Sequence, residues 1–283
     1  MIELDLTYRI KDDIEFILEA EKINIFELSK RTKISRISFD EILKSNIVRN
    51  DVCEKFYSYV FKRKYRLNVI KEEILKEKYQ TILFHGSKSG LKSVMTTGSR
   101  ETCDFGCGFY LGESYFQALS FICDKDNSSI YSFKFDNKDL KIKQFKCDLD
   151  WMLTICYFRK SLEKYKSSKK IVELIDDLND VDVIIAPIAD NKMFYIMSQF
   201  TDGEINADIA LHSLSASSLG YQYIFKSEKS LNQLHPIERY YISNSEREET
   251  IKNLIERSYE IDTKLKIAKR EFKDGLYIEE LLQ

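Results

Sequence analysis

The spacing of apolar residues changes at about Thr81, and this change limits the fold more than any other feature. Before it, apolar side chains recur at helical intervals, which is typical of helices packed on one face. After it, short apolar runs are separated by glycine and polar residues, which is typical of strands. Helical stretches continue between these runs. The change predicts a small all-α unit followed by an α+β domain.

Five strands are predicted in the α+β part, with helices between them. The strand-like runs are 81–84, 108–111, 130–135, 181–185 and 221–225. The helical stretches are 115–123, 151–165, 170–178, 207–215 and, after 240–242, from Ser245 to near the end. We therefore predict four parts, namely a helical unit over 1–67, a helical connector over 68–80, the α+β domain over 81–243 and a C-terminal helical segment over 244–283.

Helical spacing in the first part predicts a helix-turn-helix over residues 1–67. A first amphipathic helix is carried by Ile10, Ile14, Ile17 and Leu18. Phe26 and Leu28 are expected to anchor a short second helix, and Ser35 is a good N-cap for a third. The inward face of the third helix is made of Phe39, Ile42 and Leu43. With apolar Ile34 in the turn between the last two helices, the pattern fits a helix-turn-helix.

A local positive charge favours DNA binding by this unit. The whole chain has a formal net charge of −2, so any attraction for nucleic acid must be local. Residues 22–66 carry twelve basic and five acidic side chains, whereas residues 1–21 carry two basic and seven acidic. Arg36 and Ser38 are the candidates to face a DNA groove. The candidates to contact phosphates are Lys33, Lys44 and Arg49.

Two considerations keep another role open for the helical unit. Asp40 and Glu41 lie on the same predicted helix and would oppose a phosphate backbone. Small helical units also often serve only for packing or for binding a protein partner. DNA binding through residues 1–67 is therefore one of two interpretations.

Residues suited to chemistry are concentrated in the α+β part. His85 ends an apolar strand in the sequence Phe-His-Gly-Ser, and residues 104–112 follow as Asp-Phe-Gly-Cys-Gly-Phe-Tyr-Leu-Gly. The glycines allow the backbone to approach a ligand closely. The other two histidines, His212 on a helical stretch and His235 before Pro236, are predicted to be structural, and His235-Pro236 is expected to mark a turn.

This combination resembles the ADP-ribosyltransferase superfamily, and within it the His-Tyr-Glu branch that includes the poly(ADP-ribose) polymerases. The resemblance rests on His-Gly-Ser at 85–87 and on Gly-Phe-Tyr at 108–110. Residues 84–234 also resemble a bacterial family of unknown function that is assigned to that superfamily. The segments shared with that family are 104–110, 186–190, 221–225 and 228–231. The resemblance implies an ADP-ribosyltransferase-like split β-sheet over residues 81–243 and NAD as the substrate.

The resemblance also implies a role for each matching residue. Backbone groups of Gly86 would hydrogen-bond the nicotinamide amide, helped by Ser87, and His85 would fix a ribose hydroxyl. Tyr110 would stack on the nicotinamide ring. Gly108 and Phe109 also belong to the cofactor-binding set. Transfer of ADP-ribose breaks a glycosidic bond through an oxocarbenium-like state, so the enzyme must hold and twist this end of NAD.

At its third position the sequence departs from the superfamily. The usual glutamate aligns with Gln222, which can hydrogen-bond the ribose hydroxyl but supplies no negative charge. This argues against synthesis of poly(ADP-ribose) chains and for single transfer. The departure leaves open that another carboxylate, Glu204, Asp190 or Glu228, acts in its place. Arg100 is a separate candidate, to reach the NAD phosphates, although surface arginines are common.

Neither a metal nor a membrane is expected. Cys103, Cys107 and Cys123 fit no usual zinc spacing, and nicotinamide needs no metal to leave because it departs neutral. No apolar run approaches the roughly 20 residues of a membrane span, and the acidic start of the sequence is unlike a signal peptide. A cytoplasmic protein with reduced thiols is the expectation.

Two functional hypotheses follow. The first is an NAD-dependent mono-ADP-ribosyltransferase that modifies a protein or a nucleic acid, as a bacterial toxin or anti-phage effector. The second is a DNA-binding transcriptional regulator whose C-terminal domain senses NAD or ADP-ribose without catalysis, and Gln222 keeps it open. A C-terminal apolar stripe that packs either on the body or on a second copy makes a homodimer a further expectation. The stripe consists of Leu254, Ile261, Leu265, Ala268 and Phe272.

Overall fold

Five helices form the N-terminal part of the chain. The computed structural model describes residues 2–3, 6–45, 49–215 and 219–283. It places α1 at Ile10–Glu21, α2 at Ile25–Thr32, α3 at Arg36–Ser45, α4 at Asn50–Lys62 and α5 at Leu67–Lys78. Helix α5 occupies most of the predicted connector over 68–80.

Helices α2 and α3 and the tight turn between them lie where the helix-turn-helix was predicted. Lys33 ends α2 in the left-handed region, with φ 57°, and Ile34 buries its side chain in the turn. The Ser35 hydroxyl then accepts a hydrogen bond from the backbone N–H of Ser38 at 3.1 Å and so caps the start of α3. The core that these helices share with α1 and α4 contains Ile14, Leu28, Phe39, Ile42 and Phe56.

The expectation that Phe26 anchors the second helix is wrong. Leu28 is fully buried, but the Phe26 side chain is 50% exposed. Positions two apart on a helix face different sides, so the short α2 cannot direct both side chains into one core. Instead, the ammonium group of Lys30 lies over the exposed Phe26 ring, 4.3 Å from its centroid, in a cation–π contact.

A seven-stranded sheet forms the second part of the chain. Its strands are β2 (Ile82–Ser87), β4 (Phe109–Gly112), β5 (Ser129–Phe135), β6 (Ile142–Gln144), β7 (Val183–Pro187), β8 (Tyr221–Phe225) and β9 (Leu234–Tyr240). The strand order is β6-β7-β8-β4-β2-β5-β9, and β6 with β7 is the parallel pair. The short strands β1 (Ile2–Glu3) and β3 (Ser93–Val94) pair with each other separately. The predicted α+β class is therefore confirmed.

The sheet consists of two halves that meet at a narrow junction. Strands β2 and β4 are registered at Phe84↔Gly112, whereas β2 and β5 are registered over six consecutive pairs. Beyond Phe84 the two strands diverge, and the space between them is available for side chains and for a ligand. The predicted site residues lie at this divergence.

Most of the helices that follow the first strands pack on one face of the sheet, the face of Phe84, Ile184 and Ile224. The helices between β4 and β9 are α6 (Tyr115–Ser120), α7 (Leu149–Phe158), α8 (Lys169–Asp176), α9 (Asn191–Thr201), α10 (Ala207–Ser215) and α11 (Glu228–Leu231), with a 3-10 turn at Glu163–Tyr165. The largest core lies under α7, α9 and α10 and includes Trp151, Ile184, Phe200 and Ile224. A smaller core joins α6 to the other half of the sheet through Phe84, Tyr115 and Ile130.

All five predicted strands are present, but the edges of the sheet differ from expectation. His235-Pro236 does not mark a turn, because both residues lie within β9. Strand β9 is at one end of the strand order, and proline is tolerated on an edge strand because an outward N–H is not needed there. The pairing register shifts opposite Pro236, between Ser132 and Phe133. Strands β6 and β9 and helix α9 were not predicted.

Helix α12 (Asn244–Glu271) runs back along the domain, and α13 (Ile278–Leu281) ends the chain. The predicted stripe packs on the body of the same chain, since Ile261, Leu265 and Ala268 are buried in the largest core. At its start, Arg247 donates to the carbonyl of Lys125 and to the hydroxyl of Ser128. No helix within the described residues is both long and apolar enough to cross a membrane.

Buried polar contacts join the N-terminal helices to the sheet domain. The ammonium group of Lys71 on α5 lies 2.7 Å from a carboxylate oxygen of Asp13 on α1 and 2.7 Å from one of Glu238 on β9. The Asn68 amide donates to the Tyr115 hydroxyl at 2.7 Å and to Glu246 Oε2 at 3.1 Å. Buried ionisable groups are costly unless they are paired, so these contacts fix how the two parts are oriented.

Glu246 is expected to make stability depend on pH. Burial raises its pKa from 4.5 to about 7, so the folded protein holds this proton more tightly than the unfolded chain. The free energy of unfolding should therefore fall as pH rises from about 4.5 to about 7, and then level off. Glu246→Gln should remove this fall and leave the protein more stable than wild type at about pH 8, by on the order of 2 kcal/mol.

Urea unfolding of both proteins at about pH 5 and about pH 8 tests this expectation. The matched control is Glu248→Gln, two positions further along and on the exposed side of α12, which should keep the wild-type pH dependence. An unchanged pH dependence in Glu246→Gln would contradict the assignment.

Candidate functional site

A cavity of about 240 Å³ lies where β2 and β4 diverge. From the sheet, it is lined by His85 and Gly86 of β2, Tyr110 of β4 and Gln222 of β8. Its other walls come from the loop before β4, from the start of α6 and from the end of α7. With Arg100 from the loop before β4, the structure thus brings five of the predicted residues to one concave surface.

His85 is held between two residues of β4. Its Nδ1 lies 2.8 Å from the carbonyl oxygen of Tyr110, and its ring stacks on Phe109 with centroids 4.5 Å apart. A carbonyl oxygen only accepts hydrogen bonds, so Nδ1 carries the proton. Burial also lowers the pKa of His85, which favours the neutral ring. The neutral ring then presents Nε2 as a hydrogen-bond acceptor.

The Tyr110 hydroxyl organises the glycine-rich loop before β4. It accepts a hydrogen bond from the backbone N–H of Phe105 at 3.1 Å and donates to the carbonyl of Gly106 at 2.7 Å. The ammonium group of Lys226 holds the same loop from the other side, through the carbonyls of Phe105 and Cys107. The tyrosine is therefore fixed at its hydroxyl end while its ring lines the cavity.

A buried carboxylate contacts Gln222. The Gln222 amide nitrogen donates to Asp104 Oδ2 at 3.0 Å and to the carbonyl of Pro187 at 3.3 Å. Since both partners are acceptors, the amide is oriented with Nε2 toward them. Arg159 donates to the second oxygen, Asp104 Oδ1, at 2.7 Å from Nη2 and 3.1 Å from Nε. Among the described residues, Gln222 Oε1 has no protein partner and is available as an acceptor.

The structure answers which carboxylate accompanies Gln222. Asp190 caps α9, where it accepts from the backbone N–H groups of Lys192 and Met193. Glu204 accepts from the Gln199 amide beyond the end of α9, and Glu228 starts α11. Asp104, the first residue of the glycine-rich motif, is the carboxylate in contact with Gln222.

Gly86 and Gly108 are required by packing. A Cβ on Gly86 would lie 2.6 Å from the carbonyl oxygen of Ala118 on α6, and one on Gly108 would lie 2.6 Å from the Ile224 side chain. Gly86 lines the cavity, but Gly108 does not. Its N–H instead donates to the Ser99 hydroxyl at 2.9 Å.

Of the remaining predicted cofactor-binding residues, one lines the cavity and two do not. Arg100 is exposed and lines the cavity. Phe109 is buried behind His85 and does not line it. Ser87 donates its hydroxyl to the carbonyl of Gly90 at 2.7 Å, which closes a turn after β2. Ser87 is thus adjacent to the cavity in sequence but is not one of its lining residues.

Arg159 and the role of Asp104 were missed at the sequence level. Arg159 lies 55 positions after Asp104, at the end of α7, and no local pattern marks it. Its guanidinium also lies 3.5 Å from the centroid of the Phe194 ring on α9. The only available signal was that Asp104 begins the glycine-rich motif, since a charged residue there must find a partner when the loop is buried.

Within the described residues, no group of three or more histidine, cysteine or acidic side chains is arranged to hold a metal ion. Cys103 lines the cavity, and Cys107 donates its thiol to the carbonyl of Ser99. His212 packs its ring against Phe272, and His235 lies 3.5 Å from a carboxylate oxygen of Asp136.

The candidate nucleic-acid residues lie between the end of α2 and the start of α4. Lys33, Arg36 and Lys44 are exposed. Ser38 shares its hydroxyl with Ser35 at 2.8 Å, and Arg49 is engaged by both carboxylate oxygens of Asp51. DNA binding by these residues stays a prediction.

His85 should remain neutral under conditions in which a free histidine is half protonated. Its pKa is lowered from the ordinary value of 6.5 by burial, and the contact with the Tyr110 carbonyl fixes the proton on Nδ1. ¹H–¹⁵N NMR of the imidazole, with His85→Ala to assign the signal, should show an Nδ1–H tautomer with a midpoint below 6.5. An Nε2–H tautomer would exclude His85 Nε2 as an acceptor for a ribose hydroxyl, and a midpoint at or above 6.5 would contradict the effect of burial.

Comparison with known proteins identifies a family for the sheet domain. A family model described as a protein of unknown function (DUF3990) matches residues 81–235, which is more than half of the 283 residues. This range agrees with the 84–234 segment for which the sequence indicated a bacterial family. No curated protein and no solved structure matches the chain. The chain therefore belongs to the DUF3990 family of proteins of unknown function.

Proposed function

We propose that this protein is an NAD-dependent mono-ADP-ribosyltransferase that modifies a macromolecule. The observation that carries the proposal is the placement of His85, Gly86, Tyr110 and Gln222 around one cavity. These residues come from three strands and match the positions that the resemblance to the ADP-ribosyltransferase superfamily assigns to substrate binding. A role as a bacterial toxin or anti-phage effector is part of the same proposal.

The size of the cavity fits one end of NAD. A volume of about 240 Å³ is below the range usual for drug-sized ligands, so the cavity would hold the nicotinamide end alone. Arg100, Phe121 and Arg159 line both this cavity and a larger neighbour. The diphosphate of the dinucleotide would lie at this boundary, where Arg100 and Arg159 would meet its phosphates.

In this proposal each residue has a defined task. The Tyr110 ring would stack on nicotinamide, and Gly86 on the diverging part of β2 would bond its amide. His85 Nε2 and Gln222 Oε1 would accept hydrogen bonds from ribose hydroxyls. Such contacts hold the sugar while the bond between its C1′ and the nicotinamide nitrogen breaks.

In this proposal, Asp104, which contacts Gln222, supplies the negative charge that the superfamily places on a glutamate at position 222. When the C1′–N bond breaks, its electron pair leaves with nicotinamide, which becomes neutral, and positive charge develops on the ribose. The acceptor nucleophile then bonds to C1′ and releases its proton to solvent. Asp104 would orient the Gln222 amide and place a carboxylate behind it, so that the developing charge is stabilised even though position 222 is uncharged.

The proposal is tested with NAD labelled in its adenylate phosphate, incubated with the purified protein and a bacterial lysate. Wild type should transfer label to a macromolecule and release nicotinamide, and both should be lost in His85→Ala and strongly reduced in Gln222→Ala. Digestion of the products with nuclease or protease shows which class of molecule carries the label. The matched control is His235→Ala, on the far edge of the sheet, which should retain transfer.

An NAD-binding regulator without catalysis gives a different result. Wild type would then bind NAD and leave it intact, with neither nicotinamide release nor labelled product. That outcome would reject the transferase and make operator binding by the helix-turn-helix the next question.

A charge swap tests the role of Asp104. Asp104→Asn removes the charge and should lower the rate of nicotinamide release by about 100-fold, similar to the loss of one preorganised electrostatic group. In the double variant Asp104→Asn/Gln222→Glu, the carboxylate moves to position 222, and the rate should recover by at least about tenfold.

The single variant Gln222→Glu supplies the control. It places two carboxylates in contact, and their repulsion raises the pKa of the pair. Titration of this pair should give the variant a pH dependence of activity that wild type lacks. If the double variant is no faster than Asp104→Asn, Asp104 serves only to hold the loop.

A further inference from the structure

A second cavity of about 620 Å³ adjoins the first. The two share Arg100, Phe121 and Arg159, so a group bound in one lies beside a group bound in the other. A transferase needs such an adjoining space, because the acceptor must reach the ribose carbon from outside the nicotinamide pocket.

One wall of the larger cavity is built by α12. The contributing residues include Ile251, Leu254, Ile255, Arg257 and Ser258. Helix α12 lies after residue 235, where the family match ends. The cavity is therefore formed by the family domain together with a segment outside the family match, which is where specificity for an acceptor would be expected.

The lining is positively charged. Six basic side chains contribute to it, against the two acidic side chains of Asp124 and Asp190. Arg100 and Arg159 are assigned to the NAD phosphates, and Lys192 pairs with Asp262, which does not line the cavity. The other four basic groups, Lys88, Lys125, Lys192 and Arg257, still outnumber Asp124, Asp190 and Asp262. The pair between Lys125 and Asp124 is solvent-exposed on both sides, and such pairs are weak and easily exchanged for a ligand anion.

Aromatic surface accompanies this charge. Phe121 is 52% exposed at the boundary between the two cavities, and Phe194 supports the guanidinium of Arg159. A concave surface that combines basic groups with an exposed aromatic ring is the arrangement that binds unpaired nucleotides, because bases stack on the ring while cations track the phosphates. A paired base could not reach Phe121, since its faces are covered by its neighbours in the duplex.

We infer that the larger cavity binds the acceptor, and that the acceptor is single-stranded nucleic acid. A base would stack on Phe121, with Lys88 and Lys125 at the flanking phosphates. The acceptor role rests on the proposed function. Transfer would form a bond from C1′ of the ribose to an oxygen or nitrogen of the bound nucleotide, whose proton goes to solvent, while nicotinamide leaves with the electron pair of the broken bond.

Binding is tested without NAD, so that its result is independent of catalysis. Fluorescence anisotropy would measure the affinity of the full chain for a mixed-sequence single-stranded oligonucleotide, as RNA and as DNA. All proteins would carry Lys33→Glu/Lys44→Glu, which suppresses any contribution from the helix-turn-helix. Phe121→Ala should weaken binding by about tenfold, and Phe121→Tyr should retain it, because tyrosine keeps the stacking face.

Charge reversal gives a second readout. Lys88→Glu/Lys125→Glu should weaken binding by at least about tenfold, and should flatten the dependence of log affinity on log salt by about 0.7 for each phosphate that the protein no longer neutralises. Matched controls are Phe116→Ala, on the exposed side of α6, and Lys146→Glu/Lys266→Glu, which makes the same charge change outside the cavity. These controls should bind like the parent protein.

Two results would overturn the inference. One is equal binding by the cavity variants and their controls. The other is tighter binding of poly-glutamate than of the oligonucleotide, which would indicate an acidic protein acceptor. Nicotinamide release by wild type, measured separately, shows whether the proposed function holds, so a failure of the acceptor inference is distinguishable from a failure of the transferase.

Discussion

The carboxylate of Asp104 is buried, with its two oxygens divided between the Arg159 guanidinium and the Gln222 amide. An unpaired charge at this depth would cost several kcal/mol, so the three groups can only be placed together. The arrangement ties the loop before β4 to the end of α7 and to β8. Tyr110 and Lys226 then hold the remaining polar groups of the same loop. The shape of the cavity follows from these contacts more than from the strands themselves.

The surroundings of the site are maintained by elements outside the family domain. Helix α5 contacts β9 and α1 through Lys71, and Arg247 at the start of α12 binds the segment that follows α6. Both helices pack near α6, since the Asn68 amide of α5 also donates to the Tyr115 hydroxyl of α6, and the first turn of α6 faces the cavity. The close approach of Gly86 to the Ala118 carbonyl shows how little freedom α6 has to move without disturbing β2.

Local patterns predicted most of the fold. Ile34 and Ser35 mark the turn of the helix-turn-helix because burial and capping act over a few residues, and β-branched and aromatic runs mark the five inner strands. Strand β9 was not predicted, since proline normally argues against a strand and only its edge position makes Pro236 acceptable. In the site, the motif residues His85 and Tyr110 were found from their neighbours in sequence. Arg159 was not, because its partner Asp104 becomes a neighbour only when α7 packs against the loop.

The salt-bridged contact of Lys71 with Asp13 and Glu238 has a consequence for how the molecule would work on a long polymer. It joins the first helix to the edge of the sheet, so the helix-turn-helix and the cavity do not turn independently. A duplex held by α3 would thus meet the mouth of the cavity at one angle and at one distance. In such a complex, the distance from the bound duplex site along the polymer would select the modified position before any contact with its base could do so.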